Sequence, residues 1–228
     1  MNPGRIGASA LKYWTTRQTV AANNLANVST PGFKGEQVFA QLLNDATTVA
    51  GTAADFTAGS MQPTGRALDV AIEGDGFFVV QTPGGERWVR GGAFSADREG
   101  QLIDAGGNPV LGHGGPIILP PGTPEITEFG EILVDGASAG RIKIERAPEG
   151  ADIVREGANL WVPAQGKTVL PELEVQVHQG HLESSNVDSV SAMVDMIDIQ
   201  RTYAAIQRSM VTWDGTMQTI TNEIGRLG

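Results

Sequence analysis

The first residues with chemical potential lie in Gly136-Ala137-Ser138-Ala139-Gly140, which matches the G-x-S-x-G pattern of serine hydrolases. In those enzymes the serine occupies a sharp turn between a strand and a helix. Here Ile132–Val134 predicts a strand before Ser138, but the alternation in Arg141–Glu145 predicts a second strand after it. We therefore expect a hairpin, and a serine hydrolase using Ser138 is kept as an alternative function of a different class.

Two histidines near a carboxylate, His178, His181 and Glu183, have the residue types of a metal site. In an extended chain, however, positions i and i+3 point to opposite faces, and His113 is the one further histidine. The segment Gly166-Lys167-Thr168 resembles the end of a phosphate-binding loop, but Trp161 stands where the first glycine of that loop belongs. The sequence thus predicts no catalytic residue, no metal ligand and no cofactor.

The charge pattern separates the middle of the chain from its ends. The 228 residues carry a net charge of −10. Residues 1–34 hold four basic residues and no acidic one, residues 35–186 hold 9 basic and 21 acidic residues, and residues 187–228 hold 3 and 5. Because nucleic-acid binding needs clustered Lys and Arg, this balance argues against a nucleic-acid binder.

Other features of the composition exclude further classes of protein. The chain has no cysteine, which rules out a disulfide scaffold and a cysteine nucleophile. No apolar run approaches the roughly 18 residues of a membrane helix, so we expect no direct membrane insertion. The first residues also lack the layout of a signal peptide, so export would need another route.

The C-terminal segment carries the strongest periodic pattern of the sequence. Its apolar residues recur at alternating spacings of 4 and 3 over 36 residues, which predicts a helix with a heptad seam. The members are Ala192, Met196, Ile199, Tyr203, Ile206, Met210, Trp213, Met217, Ile220, Ile224 and Leu227. Ser184-Ser185-Asn186 offers candidate caps, with Asp188 in the first turn. A second apolar line of Val187, Val190, Val194 and Ile197 suggests cover on two sides at this end.

The N-terminal segment has a shorter stripe, followed by a turn. Leu11, Trp14, Gln18, Ala21, Leu25 and Val28 alternate at spacings of 3 and 4, and Thr30-Pro31-Gly32 predicts a type II turn. Because this stripe spans about half of the C-terminal seam, a closed hairpin within one molecule would leave apolar surface uncovered. We therefore expect packing between molecules, with the closed hairpin as the alternative. The predicted assembly interface comprises Leu11, Trp14, Ala21, Leu25, Val28, Met196, Ile199, Tyr203, Ile206, Met210, Trp213, Met217, Ile220, Ile224 and Leu227.

Between the two stripes the apolar period changes to two. Short apolar runs separated by turn residues predict a small all-β barrel or sandwich, whereas the Ala-, Thr- and Gly-rich residues 44–64 have no firm period. We expect an α+β fold in which the N- and C-terminal helices pair as a coiled-coil-like unit. Its predicted parts are an N-terminal assembly helix (1–34), a linker or extended segment (35–67), a central β domain (68–183) and a C-terminal assembly helix (184–228).

Three blocks of residues, taken in chain order, together resemble a known protein family. The first is Asn23–Lys34, the second runs from Gly74–Val80 through Arg90–Phe94 to Gly107–Gly112, and the third joins Leu182–Asp188, Met193–Ile197 and Gln200–Tyr203. Together they resemble the N-terminal, β-domain and C-terminal blocks of bacterial flagellar rod and hook proteins. The resemblance covers both ends and the middle of the chain.

The resemblance implies a structural, non-enzymatic subunit of the flagellar basal body. It implies export by the flagellar type III apparatus, and helical assembly with itself and with other rod and hook proteins into the torque-transmitting rod that crosses the periplasm. It also implies paired terminal helices inside and a β domain outside. The short middle favours the proximal-rod type over hook protein, with the distal-rod protein as the nearest alternative. Outside the family, an adhesin or phage-tail-like fibre with a coiled-coil stalk is the alternative.

Overall fold

The computed structural model describes residues 3–42, 48–148, 152–157, 159–164, 168–169, 174 and 176–224. It confirms a mixed α+β chain with helices near the termini and a β-rich middle. The helices are α1 (Pro3–Ala26) and α2 (Ser189–Ile224). The strands are β1 (Glu36–Leu42), β2 (Thr48–Ala54), β3 (Met61–Pro63), β4 (Val70–Glu73), β5 (Phe77–Thr82), β6 (Gly85–Val89), β7 (Ser95–Ala96), β8 (Leu102–Ile103), β9 (Leu111–Gly112), β10 (Gly115–Pro116), β11 (Pro124–Ile126), β12 (Glu131–Val134), β13 (Ala137–Arg141), β14 (Ile144–Arg146), β15 (Ile153–Glu156), β16 (Leu160–Pro163), β17 (Thr168–Val169), β18 (Gln176–Gln179) and β19 (His181–Glu183).

The chain divides into two compact units. As far as the structure describes them, residues 3–28, 35–56 and 187–224 form one unit, which we call the helical unit. Residues 29–34 and 57–186 form the other, the β-rich unit. Both the predicted N-terminal helix (1–34) and the predicted linker (35–67) therefore contribute residues to each unit.

The end of α1 is set by local backbone chemistry. The Asn27 amide and its side-chain Nδ2 both donate to the carbonyl oxygen of Asn23, at 3.2 and 2.9 Å, and close the last helical turn. Because a residue before proline disfavours the helical conformation, Thr30 and Pro31 prevent α1 from continuing. Val28 consequently lies in the turn after α1 rather than on its apolar stripe, which corrects the predicted position.

The predicted type II turn is confirmed. The Phe33 amide donates to the carbonyl oxygen of Thr30 at 3.2 Å, and Gly32, at the third position, has a φ of +67°. This turn type needs a positive φ there, which glycine adopts without strain. A Cβ atom on Gly32 would also lie only 2.4 Å from the amide nitrogen of Gly91. The turn of the first block therefore packs closely on the second block.

The N-terminal cap of α2 is Asp188, not the predicted Ser184-Ser185-Asn186. The Ser191 amide donates to Oδ2 of Asp188 at 2.7 Å, and this hydrogen bond is the main reason that the pKa of Asp188 is below its ordinary value. Asn186 instead donates from Nδ2 to the Thr57 carbonyl oxygen at 3.3 Å. A carboxylate at the cap position accepts a hydrogen bond from the backbone amide three residues later, which has no partner within the helix.

Part of the predicted linker or extended segment forms a β-hairpin in the helical unit. Strands β1 and β2 pair in antiparallel register from Glu36↔Ala54 to Leu42↔Thr48. Strand β2 consists of Thr, Val, Ala and Gly, so it shows no polar–apolar alternation that would reveal a strand. Asn24 fastens α1 to this hairpin, because its side-chain amide exchanges hydrogen bonds of 2.8 and 3.0 Å with the backbone of Glu36.

The β-rich unit consists of small antiparallel sheets around one apolar core. Its largest sheet has the strand order β15-β16-β6-β5-β14-β17, and β11-β12-β13 forms a second sheet. Alternate residues of β4, β5 and β12 belong to this core, which is the period-two pattern of the sequence, and the other members come from further short strands and the segments between them. Its buried members are Val70, Ile72, Phe78, Val80, Val89, Phe94, Leu102, Val110, Ile117, Leu119, Ile126, Ile132, Val134, Ile142, Ile144 and Val177. A closed barrel or a two-sheet sandwich stays a prediction.

Candidate assembly interface and a buried charge cluster

The helical unit brings α1 and α2 into contact. A Cβ atom on Gly7, near the start of α1, would lie 3.0 Å from Sδ of Met210 in the second half of α2. If the helices ran parallel from this contact, α1 would cover the residues after Met210. The side chains that the structure describes after Met210 in α2 are exposed instead, so the two helices run antiparallel.

The seam of α2 is covered up to Met210 and open beyond it. Ile199 is 3% exposed, whereas Trp213, Met217 and Ile220 are 44–46% exposed. The reason is length: α1 has four residues before Gly7, while α2 continues for fourteen residues after Met210. The open end of the seam, comprising Trp213, Met217 and Ile220, is the candidate assembly interface.

The other predicted interface residues fall into three groups. Half-buried positions, which the chain already covers in part, are Leu11, Trp14, Ala21, Leu25, Val28, Met196, Tyr203, Ile206 and Met210. The backbone of Ile224 ends α2, but its side chain lies outside the described part of the structure, as does all of Leu227. The second apolar line is not covered on its own side, since Val190, Val194 and Ile197 are exposed.

The β-rich unit contains a buried cluster of three charged side chains, Lys34, Arg90 and Glu183, which we call the Glu183 cluster. Oε1 of Glu183 accepts from Nζ of Lys34 at 2.7 Å, and Oε2 accepts from Nε of Arg90 at 2.5 Å. The Gly59 amide donates to the same carboxylate at 2.8 Å. The three side chains are 2–5% exposed, so their charges are almost fully removed from water.

Backbone oxygens complete the bonding of the two cations. Arg90 donates to the carbonyl oxygens of Ile72 at 3.0 Å, Gly74 at 2.7 Å and Gly76, so its guanidinium holds the Gly74–Gly76 turn. Lys34 donates to the carbonyl oxygen of Thr57 at 2.7 Å. One carboxylate and four carbonyl oxygens thus balance two positive charges, which is the condition for burying them.

The pKa of Glu183 reflects a competition between burial and bonding. Burial, the largest single effect, raises the pKa of this carboxyl. The charge of Arg90 and the hydrogen bonds from Lys34, Arg90 and the Gly59 amide together outweigh it, so the pKa lies below its ordinary value of 4.5. Glu183 is therefore ionised at neutral pH and stabilises the folded β-rich unit in that form.

We expect acidification to destabilise the β-rich unit through Glu183. Because its pKa is lower in the folded than in the unfolded chain, its contribution is complete above the unfolded pKa, near 4.5, and is lost as the pH falls through the folded pKa. Urea unfolding from pH 7 to pH 3, followed by the fluorescence of buried Trp88 and Trp161, measures this loss. Trp14 and Trp213 are replaced by Phe so that only the β-rich unit reports. A Glu183→Gln variant with the same pH dependence as its parent would contradict the assignment.

The residues first considered for catalysis lie elsewhere in the β-rich unit. Ser138 is in β13, which pairs with β12 across an Asp135-Gly136 turn with φ of +50° and +83°. The predicted hairpin is confirmed, but its second strand begins at Ala137 instead of Arg141, so Ser138 lies in a strand and not in the loop. No helix follows Ser138 as it does in a nucleophile elbow. The hydroxyl of Ser138 donates to Oε1 of Glu131 at 2.8 Å.

The two histidines lie in the same unit, and their ring centroids are 6.1 Å apart, so the expectation that they point to opposite faces is wrong. Between them Gly180 has a φ of +69°, so the chain is not extended there. Nε2 of His178 lies 2.6 Å from Oε2 of Glu73, and Nδ1 of His181 lies 2.9 Å from the Gln179 carbonyl oxygen. Glu183 binds Lys34 and Arg90 instead of joining these histidines. Within the described ranges, no three His, Cys, Asp or Glu residues are placed to hold a metal ion.

Neither of the helices described is long and apolar enough to cross a bilayer.

The Glu183 cluster was not predicted from the sequence, although all three of its residues lie in the sequence blocks. Lys34 closes the first block, Arg90 opens part of the second, and Glu183 lies at the start of the third. The available signal was a single charge beside apolar or glycine neighbours, as in Phe33-Lys34, Val89-Arg90-Gly91 and Leu182-Glu183. Opposite charges in such settings are candidates for a buried pair, but one sequence does not show which of them meet.

Three family models match the chain in the order of its sequence blocks. Residues 5–34 match the model described as flagella basal body rod protein. Residues 71–147 match the flagellar hook protein FlgE/F/G D1 domain, and residues 178–223 match the flagellar basal body rod FlgEFG protein C-terminal model. The matched stretches include most of α1, most of the core of the β-rich unit and nearly all of α2.

Curated relatives extend the likeness over nearly the whole chain. The flagellar basal-body rod protein FlgF of Caulobacter vibrioides is 35% identical over 225 residues, which cover 92% of this chain and 91% of the relative. FlgF of Salmonella typhimurium is 37% identical, with 86% and 87% covered, and FlgG of Bacillus subtilis is 28% identical, with 95% and 96% covered. The matches confirm the predicted rod family and its proximal-rod type. This chain belongs to the flagellar basal-body rod protein family.

Proposed function

We propose that the chain, a structural subunit of the proximal-rod type in the flagellar basal body, assembles helically through the open end of its α2 seam. The observation that carries the proposal is the 44–46% exposure of Trp213, Met217 and Ile220. These residues continue the heptad spacing of the covered part of the seam, so a second helix fits them as α1 fits the first part. The partner helices belong to other copies of this chain and to other rod and hook subunits.

The size of the open surface supports docking on a neighbour. Fully burying a large apolar side chain contributes about 1.5–3 kcal/mol, so three half-exposed ones contribute roughly 2–4 kcal/mol per helix end. That is weak for one pair of molecules, but in a helical assembly every subunit makes the contact with its neighbours. Helices held from several sides resist bending and twisting, and this stiffness suits a rod that transmits torque across the periplasm.

The difference in length between α1 and α2 also suits export of the chain before it assembles. The fourteen residues of α2 after Met210 have the length at which an isolated helix is only marginally stable in water. We expect the ends of the free chain to be poorly ordered and to gain helix on docking. A chain without cysteine and with loosely held ends unfolds readily for passage through the flagellar type III export apparatus.

The proposed role needs no catalysis. The curated relatives are named as rod proteins, and Ser138 lies in a hairpin strand with its hydroxyl bonded to Glu131. The serine nucleophile of the G-x-S-x-G class lies in a strand–turn–helix setting, beside a base that accepts its proton. We therefore expect a fluorophosphonate probe to leave the protein unlabelled.

Removing residues 2–28 tests whether the proposed assembly needs α1 together with the open end of the α2 seam. The deletion removes the helix that covers the seam but keeps Lys34, so we expect the β-rich unit to fold. The variant should be absent from basal bodies isolated from a strain of the source bacterium that lacks the native gene, and the cells should not swim. The full chain, produced in the same strain, is the control. A fibre protein with a homotrimeric α2 stalk would tolerate the deletion, so a variant that enters basal bodies normally contradicts the proposal.

A further inference from the structure

A second apolar surface lies on α2, away from the seam. Val190, Met193, Val194 and Ile197, which we call the α2 ridge, are 48–68% exposed. Their spacing of i, i+3, i+4 and i+7 puts them on one helix face. Ile199 in the same segment is buried, so this part of α2 has one covered and one open apolar face. A contiguous open face of this kind marks an interaction surface.

The surroundings of the α2 ridge are acidic. Asp195 and Asp198 are exposed on the same turns of α2, and Asp188 precedes them. No basic residue occurs between positions 188 and 200. A partner for the ridge must therefore combine an apolar or small-residue surface with positive charge.

The outward side of α1 has this combination. Ala8, Lys12, Thr15, Thr19, Ala22 and Ala26, which we call the α1 outer face, are all exposed and recur at spacings of 4 and 3. Five of the six are small, so another helix can approach closely. The sixth is Lys12, and residues 1–34 contain no acidic residue.

The threonines of this face can be buried at little cost. Oγ1 of Thr15 donates to the Leu11 carbonyl oxygen at 2.9 Å, and Oγ1 of Thr19 donates to the Thr15 carbonyl oxygen at 3.1 Å. Because both hydroxyls are hydrogen-bonded within α1, they lose no partner when water is excluded. The α1 outer face therefore behaves as a nearly apolar groove with one positive charge.

We propose that the α2 ridge of one molecule docks on the α1 outer face of a second copy of this chain. The bulky ridge then meets the small-residue face, and Asp195 and Asp198 lie beside Lys12. The contact forms between molecules because α1 already packs its other side on α2 of its own chain. It joins two different surfaces, so it repeats from copy to copy and generates a helical array instead of a closed dimer. The inference rests on the proposed function, since it names a partner and a face for the same assembly.

Single-cysteine cross-linking tests the contact, because the native chain has no cysteine. Val194→Cys and Thr19→Cys variants are produced together in the source bacterium lacking the native gene, and oxidised basal bodies are analysed for disulfide-linked dimers. We expect a mixed dimer of the two variants, absent when either is produced alone. The matched control replaces Val194→Cys by Gln207→Cys, which is also exposed but lies off the ridge, and should give at least tenfold less dimer.

Charge reversal supplies a second measurement. Adding Asp195→Lys and Asp198→Lys to the Val194→Cys variant should reduce the mixed dimer at least tenfold, and Lys12→Asp in the Thr19→Cys variant should restore it. Both cysteine variants present in basal bodies without a mixed dimer would overturn the inference and leave the proposed function standing. Absence from basal bodies of both variants and of the parent chain would instead overturn the proposed function.

Discussion

Replacing Glu183 by glutamine is expected to destabilise the β-rich unit by about 3–5 kcal/mol, because it leaves two buried cations without their counter-charge. Lys34 and Arg90 are 2% and 5% exposed and cannot turn to water without opening the unit. The NH2 group of the new glutamine would also face an N–H donor of Lys34, Arg90 or Gly59, and two donors cannot form a hydrogen bond. Urea unfolding at pH 7, read from Trp88 and Trp161 with Trp14 and Trp213 replaced by Phe, measures the loss.

A surface ion pair offers a matched control for this substitution. Arg87 and Glu156 lie 2.6 Å apart in the same unit, but the Glu156 side chain is 55% exposed. Glu156→Gln should cost less than about 1 kcal/mol, because water replaces the lost partner. Equal losses for Glu183→Gln and Glu156→Gln would show that the Glu183 cluster does not hold the three sequence blocks together.

Replacing Trp213 by aspartate is expected to abolish assembly while leaving both units folded. Trp213 is exposed in the single chain, so a charge there costs little until a neighbour's helix must bury it. We expect at least a hundredfold loss of incorporation into basal bodies, which corresponds to about 3 kcal/mol. Quantifying the variant in isolated basal bodies against its total amount in the cell measures the effect.

Two further variants make this result specific to the seam. Val211→Asp places the same charge two residues away, on a more exposed apolar residue outside the 4–3 spacing, and should assemble nearly normally. Ile206→Asp should also block assembly, but its half-buried side chain will weaken the helical unit as well. If Trp213→Asp is incorporated as well as Val211→Asp, the open end of the seam is not an interface.

The sequence predicted the elements whose signal is local and periodic. The heptad spacing from Ala192 onward indicated α2, and the apolar run Ile132–Val134 indicated the strand that the structure has at Glu131–Val134. The β1–β2 hairpin was missed because Gly51 and its small neighbours in β2 carry no alternation. The cap at Asp188 was misplaced by two to four residues because serine, asparagine and aspartate all suit that position.

Features that depend on contacts between distant residues were beyond a single sequence. Periodicity predicted which residues share the α2 seam, and comparison of stripe lengths predicted uncovered apolar surface. The contact of Gly7 with Met210, which decides where the cover ends, depends on how the two helices slide along each other. The Glu183 cluster joins residues 149 positions apart, Lys34 and Glu183, and no local pattern encodes that pairing.

A high-resolution electron cryo-microscopy map of isolated basal bodies tests the central claim most directly. The account predicts that Trp213, Met217 and Ile220 of each copy are buried against helices of neighbouring subunits. A map in which these three side chains still face solvent, with neighbours contacting the β-rich unit alone, would contradict it.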